Sequence, residues 1–173
     1  MLQSIMNPNR PVTSRDVVRG LLESPIARSE TNDCVVRAFA VFVDLPYDDA
    51  HSEVRVCMKR RPRKGVSSLN IIAYFRDRPE RFELVTTETC QHSPRWSAAD
   101  IIVGNTLKST YPIKNGELKC AMTVDTFAKR YNKGRYFLCV RGHCFSIVDG
   151  VIVGNASDTR KKRTIVKWAF RVK

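Results

Sequence analysis

The stretch that decides the fold is SETNDCVVRAFAVFVD, residues 29–44. From Val35 to Val43 every residue except Arg37 is apolar. Such a helix has almost no face to offer water, so it must be buried nearly all round. Thr31 and Asn32 are capping candidates, and Asp33 suits the positive end of the first turn.

A buried helix needs layers to cover it. Late in the chain, RYFLCVRG (135–142), HCFSIV (143–148) and VIVGN (151–155) read as strands, the last two joined by Asp149-Gly150. That dipeptide favours a two-residue type I′ hairpin. TIVKWAFRVK (164–173) adds a final strand. A buried helix early and an antiparallel sheet late make the fold class α+β.

The remaining elements read outward from these two. Thr13 or Ser14 starts a helix that carries Val17, Val18, Leu21 and Leu22 and ends at Pro25. Pro46, Asp48 and Asp49 open a helix over residues 47–60. Ser67 or Ser68 caps another, and FELVTTE (82–88) has the β-branched content of a strand. Thr123 caps a helix closed by Gly134. Residues 1–12, with Pro8, Asn9 and Pro11, read as an arm ahead of a single domain over residues 13–173.

Composition narrows the class. The chain has 173 residues, 43% hydrophobic and 27% charged, which excludes wholesale disorder and leaves room for one core. No apolar run approaches the roughly 18 to 20 residues a bilayer span needs, so a cytoplasmic protein is expected, without membrane contact. Six irregularly spaced cysteines suggest reduced thiols rather than a disulfide framework.

Thirty Lys and Arg against 17 Asp and Glu give a net charge of +13, which favours a polyanionic partner. Two runs concentrate it. Arg55 to Lys64 carries Lys59, Arg60, Arg61, Arg63 and Lys64 with no acid, and Arg160, Lys161, Lys162 and Arg163 form the second. Both read as solvated and as possible nucleic-acid contacts, although the aromatic interleaving of a base-stacking platform is missing. Cys90-Gln91-His92 offers two zinc ligands without the paired spacing of a closed site, so neither metal nor cofactor is expected.

Chemistry concentrates elsewhere. Cys34 stands where the buried helix begins, and the helix's unpaired N–H groups favour a thiolate there. His143, opening a strand, is the best placed of three histidines to activate it. The hairpin's return brings residues 155–158 beside His143 as orienters of the imidazole. A turn at 149–150 pairs positions summing to 299, so Asp158 shares the histidine's face. Asn155 joins that face through a bulge at Gly154. Cys144 points to the opposite sheet face, and Cys57, Cys120 and Cys139 read as packed core thiols.

TNDCVVRAFA followed late by KGRYFLCVRGHCFSIVDGVIVGN resembles the papain-like cysteine peptidases, specifically their small phage-encoded type. The resemblance implies a cysteine capping a central helix, a histidine opening a sheet strand, and an Asn or Asp on the adjoining strand. Cys34, His143 and Asn155 match in that order. The family's oxyanion Gln has no counterpart in PIARSETN (25–32), so Asn32 takes that place with the Cys34 backbone N–H. The implied activity is hydrolysis of a peptide or isopeptide bond through an acyl-enzyme on Cys34, in a host cytoplasm or virion. A transferase would share that intermediate. The alternative is an inactive scaffold that binds nucleic acid or an acidic host protein through its basic surface.

Overall fold

The computed structural model describes residues 12–85, 122–155 and 157–173, together with the backbone of residues 113–114 and 117–118. The side chains of residues 159–161 lie outside the description, as do Cys90, Gln91, His92, Cys120 and the arm apart from Val12. Val12 is buried and belongs to the core.

Thr13 opens α1 (Ser14–Val17), with the Asp16 carboxylate accepting from its N–H at 2.8 Å and its hydroxyl at 2.7 Å. The helix stops far short of the Ser24 expected from its apolar spacing. Val18 is extended and Gly20 takes φ +72°. Pro25 begins a helix instead of ending one, because proline at a first helical position forfeits no intrahelical bond. In α2 (Pro25–Ser29) the Ser24 hydroxyl caps Ala27 N–H at 3.0 Å.

Helix α3 (Cys34–Val43) is the buried helix, with Val35, Val36, Ala38, Phe39, Ala40, Val41 and Phe42 all inaccessible. Its cap position is Asp33, one residue after Asn32 and two after Thr31, the expected candidates. Helices α4 (Tyr47–Cys57) and α5 (Ser68–Arg76) follow, the latter capped by Ser67 as expected. Then come β1 (Phe82–Leu84), β2 (Ile113–Lys114), β3 (Glu117–Leu118) and α6 (Val124–Arg130). The chain continues through β4 (Arg135–Val140), β5 (His143–Val148), β6 (Val151–Val153), a 3-10 helix over Asp158–Arg163, and β7 (Trp168–Val172).

The five-stranded sheet has the order β1-β7-β4-β5-β6, antiparallel throughout, and β2 pairs with β3. The β5–β6 register is the expected one: Val148 faces Val151 and Ser146 faces Val153. Asp149 and Gly150 take φ of 49° and 77°, the left-handed pair that a type I′ turn requires.

One sheet face receives α3, and the buried Ser146 hydroxyl donates to the Ala38 carbonyl at 2.7 Å. Aromatic rings fill the space beneath. Phe75 stacks on Phe170 at 4.3 Å, and Phe42 packs edge-on to Phe75 and Phe137. The other face carries α6, where Phe127 meets Tyr131 and Tyr136 above Leu138 and Ile147. Among the described residues no helix is long and apolar enough to cross a membrane.

Phe75 touches both the helical layer and the sheet, so Phe75→Ala should cost about 3–5 kcal/mol in urea unfolding. Val56→Ala, at a side chain 75% exposed, should shift the same curve by less than about 0.5 kcal/mol.

Candidate active site

Cys34 is the first residue of α3, and His143 the first of β5. Because α3 lies along β5, the helix N-terminus is set over the start of that strand. The thiol hydrogen-bonds to the imidazole, and the backbone N–H groups of Cys144 and Val35 donate to the sulfur. On its other side the ring meets Asp158, with Nε2 at 2.9 Å from Oδ1 and 3.0 Å from Oδ2. With Nε2 committed to the carboxylate, Nδ1 is the nitrogen left for the sulfur.

Electrostatics favour an ion pair here. Burial pushes the Cys34 thiol up, but the His143 hydrogen bond, the backbone donors and the imidazolium charge outweigh it. The thiol therefore ionises below its ordinary value of 9.0. The hydrogen bonds that the imidazolium donates to Asp158 and then to Cys34 raise His143 against desolvation, from 6.5 to about 9. Cys144 behaves oppositely. Its buried thiol donates to Cys139 Sγ at 3.3 Å, and that bond together with burial pushes it well above 9.0.

The structure brings Asp158 to the histidine by a different route from the one the strand arithmetic implies. β6 stops at Val153, and the chain turns through Gly154 and Asn155 into the 3-10 helix. Asp158 N–H donates to the Asn155 carbonyl at 2.8 Å, folding the carboxylate back over Gly154. Asn155 reaches that carboxylate with its backbone N–H, at 2.6 Å from Oδ2. The bulge expected at Gly154 is thus replaced by a turn, and the residue seated on the imidazole is Asp158, only 1% exposed.

Sequence reading missed why residue 154 is glycine. A Cβ there would lie 2.3 Å from Asp158 Oδ2 and 2.9 Å from Phe145 Cβ. The open hydrogen at this position is what admits the carboxylate. The glycine is itself fixed by Ser14 N–H, which donates to its carbonyl at 2.7 Å.

Asn32 is not aimed at the thiol. It is exposed, takes φ 54°, and donates its side-chain amide to the Arg63 carbonyl at 3.3 Å. Donors present at the sulfur are instead the backbone N–H groups already named. Asp33 is turned inward, its Oδ2 accepting from Arg37 Nε at 2.8 Å and from the Tyr47 hydroxyl at 2.9 Å.

Arg60 corrects the reading of a uniformly solvated basic run. It is 4% exposed, because its guanidinium donates to Glu30 Oε2 at 2.7 Å and to the Thr31 carbonyl at 3.2 Å. Buried charge persists only where it is paired in this way. His51 completes the cluster, with Nε2 at 3.1 Å from Glu30 Oε1 and 3.2 Å from Arg60 Nη1. Arg60, followed by His51, holds the Glu30 carboxyl down to about 2, against the opposing effect of burial. Lys59, Arg61, Arg63, Lys64, Lys162 and Arg163 are exposed, as expected. Cys57 is exposed too, contrary to the packed position expected of it, because it ends α4 on the helix's outer side. No group of three or more His, Cys, Asp or Glu residues among those described is arranged to hold a metal ion.

Compared with protein-family models, curated proteins and solved structures, the chain matches none.

Iodoacetamide at neutral pH should label Cys34 roughly tenfold or more faster than the exposed Cys57, because thiolate fraction outweighs access. Gly154→Ala should slow Cys34 labelling towards the Cys57 rate by displacing Asp158, as resolved by peptide mass spectrometry.

The ion pair also shapes stability against pH. Taken alone, a raised His143 contributes stability that is full below pH 6.5 and lost as pH rises through about 9. A lowered Cys34 contributes stability that is full above 9.0 and lost as pH falls through its folded value. At pH values above both 6.5 and the folded Cys34 value and below about 9, native and unfolded states bind equal numbers of protons at the pair, so the two slopes cancel. Thermal midpoints of wild type should be flat across that window. Those of Cys34→Ala should fall as pH rises, exposing the histidine limb.

Proposed function

We propose that the protein is a papain-like thiol hydrolase of the small phage-encoded kind its motifs resemble, cleaving a peptide or isopeptide bond. The observation that carries this reading is one imidazole held between the Cys34 thiol and the buried Asp158 carboxylate. The position of the thiol at a helix N-terminus over an antiparallel sheet supports it further.

In this reading the Cys34 thiolate attacks the substrate carbonyl carbon, and its π electrons move to oxygen. Backbone N–H groups at the α3 N-terminus face the oxyanion. The C–N bond then breaks, and the His143 imidazolium gives its proton to the departing amine, leaving a thioester on Cys34 and a neutral imidazole. That imidazole takes a proton from water as the oxygen attacks the thioester. Collapse releases the acid and restores thiolate and imidazolium. Asp158 is a positioning residue: it holds Nε2 and so turns Nδ1 to the sulfur. If an amine replaced water, the same thioester would complete a transfer.

A second reading, a scaffold without turnover that binds a polyanion, is favoured by the exposed Lys59, Arg61, Arg63 and Lys64.

The test is incubation with a proteome-derived peptide mixture, scored for new N-termini by mass spectrometry. Wild type should generate them and Cys34→Ala should not. Asp158→Asn should lower kcat/KM by roughly tenfold and move the alkaline limb of the pH profile down from about 9, since the carboxylate charge no longer holds the imidazolium. Cleavage that survives in Cys34→Ala would overturn the assignment.

A further inference from the structure

Three exposed or buried features stand outside the catalytic argument: the Cys139–Cys144 thiol pair, the Glu30–His51–Arg60 cluster, and the basic loop 59–64. The last two are one construction, and they bear on the substrate.

The loop is fastened to the segment that delivers Cys34. Arg63 N–H donates to Glu30 Oε2 at 3.0 Å, and the Arg63 carbonyl accepts from the Thr31 hydroxyl and the Asn32 amide, each at 3.3 Å. Below them Arg60 ties Glu30 and the Thr31 carbonyl together. Every bond joins residues 30–32 to residues 60–63, two to four positions before the nucleophile.

Backbone geometry marks the same junction. Asn32, Lys59 and Arg63 take φ of 54°, 53° and 57°, left-handed conformations that side-chain-bearing residues seldom adopt. Such conformations persist where surrounding bonds hold them. Here the Arg63 backbone faces Glu30, Thr31 and Asn32, while the side chains of Lys59, Arg61, Arg63 and Lys64 are exposed.

Among the described residues, those outward cations have no acidic partner. Lys59, Arg61, Arg63 and Lys64 are exposed, and among the described residues none of the four pairs with a carboxylate. Arg60 pairs with Glu30, so it is the tether, and its exposed neighbours are left for a ligand. From the Arg63 carbonyl, across the Asn32 side chain and two Cα steps, the distance to the Cys34 Cα is at most about 15 Å. An extended peptide covers that in roughly four or five residues.

We propose that loop 59–64 is the substrate-recognition arm of the Cys34 site and selects peptide segments with acidic side chains within about five residues of the scissile bond. This deepens the hydrolase reading and rests on it. A peptide is the occupant because the adjacent thiolate acts on acyl carbon, which a nucleic-acid backbone lacks, and because the loop has no aromatic ring on which to stack a base.

The experiment has two arms. In the first, cleavage of the peptide mixture is profiled for wild type and for Arg61→Glu/Lys64→Glu, with thermal midpoints checking that the variant folds. Wild type should enrich Asp and Glu on one side of the cut, and the reversal should lower kcat/KM for those peptides by roughly tenfold at low salt. Cleavage without acidic enrichment overturns the loop assignment and leaves the hydrolase standing. In the second, Cys34→Ala is titrated with a fluorescein-labelled glutamate-rich peptide and with a single-stranded oligonucleotide of equal charge. Salt-sensitive peptide binding lost on charge reversal, with no cleavage by wild type, leaves an acidic-peptide-binding loop but overturns the hydrolase and with it the loop's role as its recognition arm. Absent peptide binding, or tighter binding of the oligonucleotide, overturns the proposal.

Discussion

A helix that is apolar nearly all round can exist only between layers, and this constraint places almost everything else. One side of α3 is closed by α4 and α5, and the other by β4 and β5. The Ser146 hydroxyl, on the inner face of β5, anchors the helix through the Ala38 carbonyl. With the middle of the helix fixed against the middle of β5, its first residue reaches the rim. That residue is Cys34, and the strand beneath begins with His143.

The partial charges of the site follow from this seating. The helix N-terminus brings unpaired N–H groups to the sulfur, and burial opposes them. Neither alone would settle the protonation state; the histidine does, because it is itself held by a carboxylate with almost no access to water. The carboxylate in turn is admitted by a missing side chain at Gly154. A chain of three ionisable groups thus depends at its far end on a steric allowance.

Much of this was legible in the residues. The buried helix, the Asp149-Gly150 turn with its register, and the caps at Ser67 and Thr123 all follow from local chemistry, which is where single-sequence reasoning is strongest. The orienter was harder, because period-two arithmetic holds only while the strand lasts and β6 ends at Val153. Asp158 arrives through a turn whose reason, contact with Gly154, is tertiary. Arg60 was misread for a similar cause: a run of cations looks solvated until Glu30, thirty residues earlier, is brought under one of them. The first helix failed at Gly20 and Pro25, where backbone conformation overrode apolar spacing.

The two halves of the site differ sharply in how far apart their parts lie along the chain. His143 and Asp158 are fifteen residues apart, joined by a tight hairpin and one turn. Cys34 comes from the other end of a long excursion, comparable to the 108 residues that separate Ala38 from Ser146. Local contacts close quickly and distant ones late. The base and its orienter thus come from one short stretch of chain, whereas the nucleophile meets them only through the docking of helical layer and sheet. A nascent or partly unfolded chain holds its reactive sulfur away from its base, so the arrangement becomes chemically competent in the same step that completes the core.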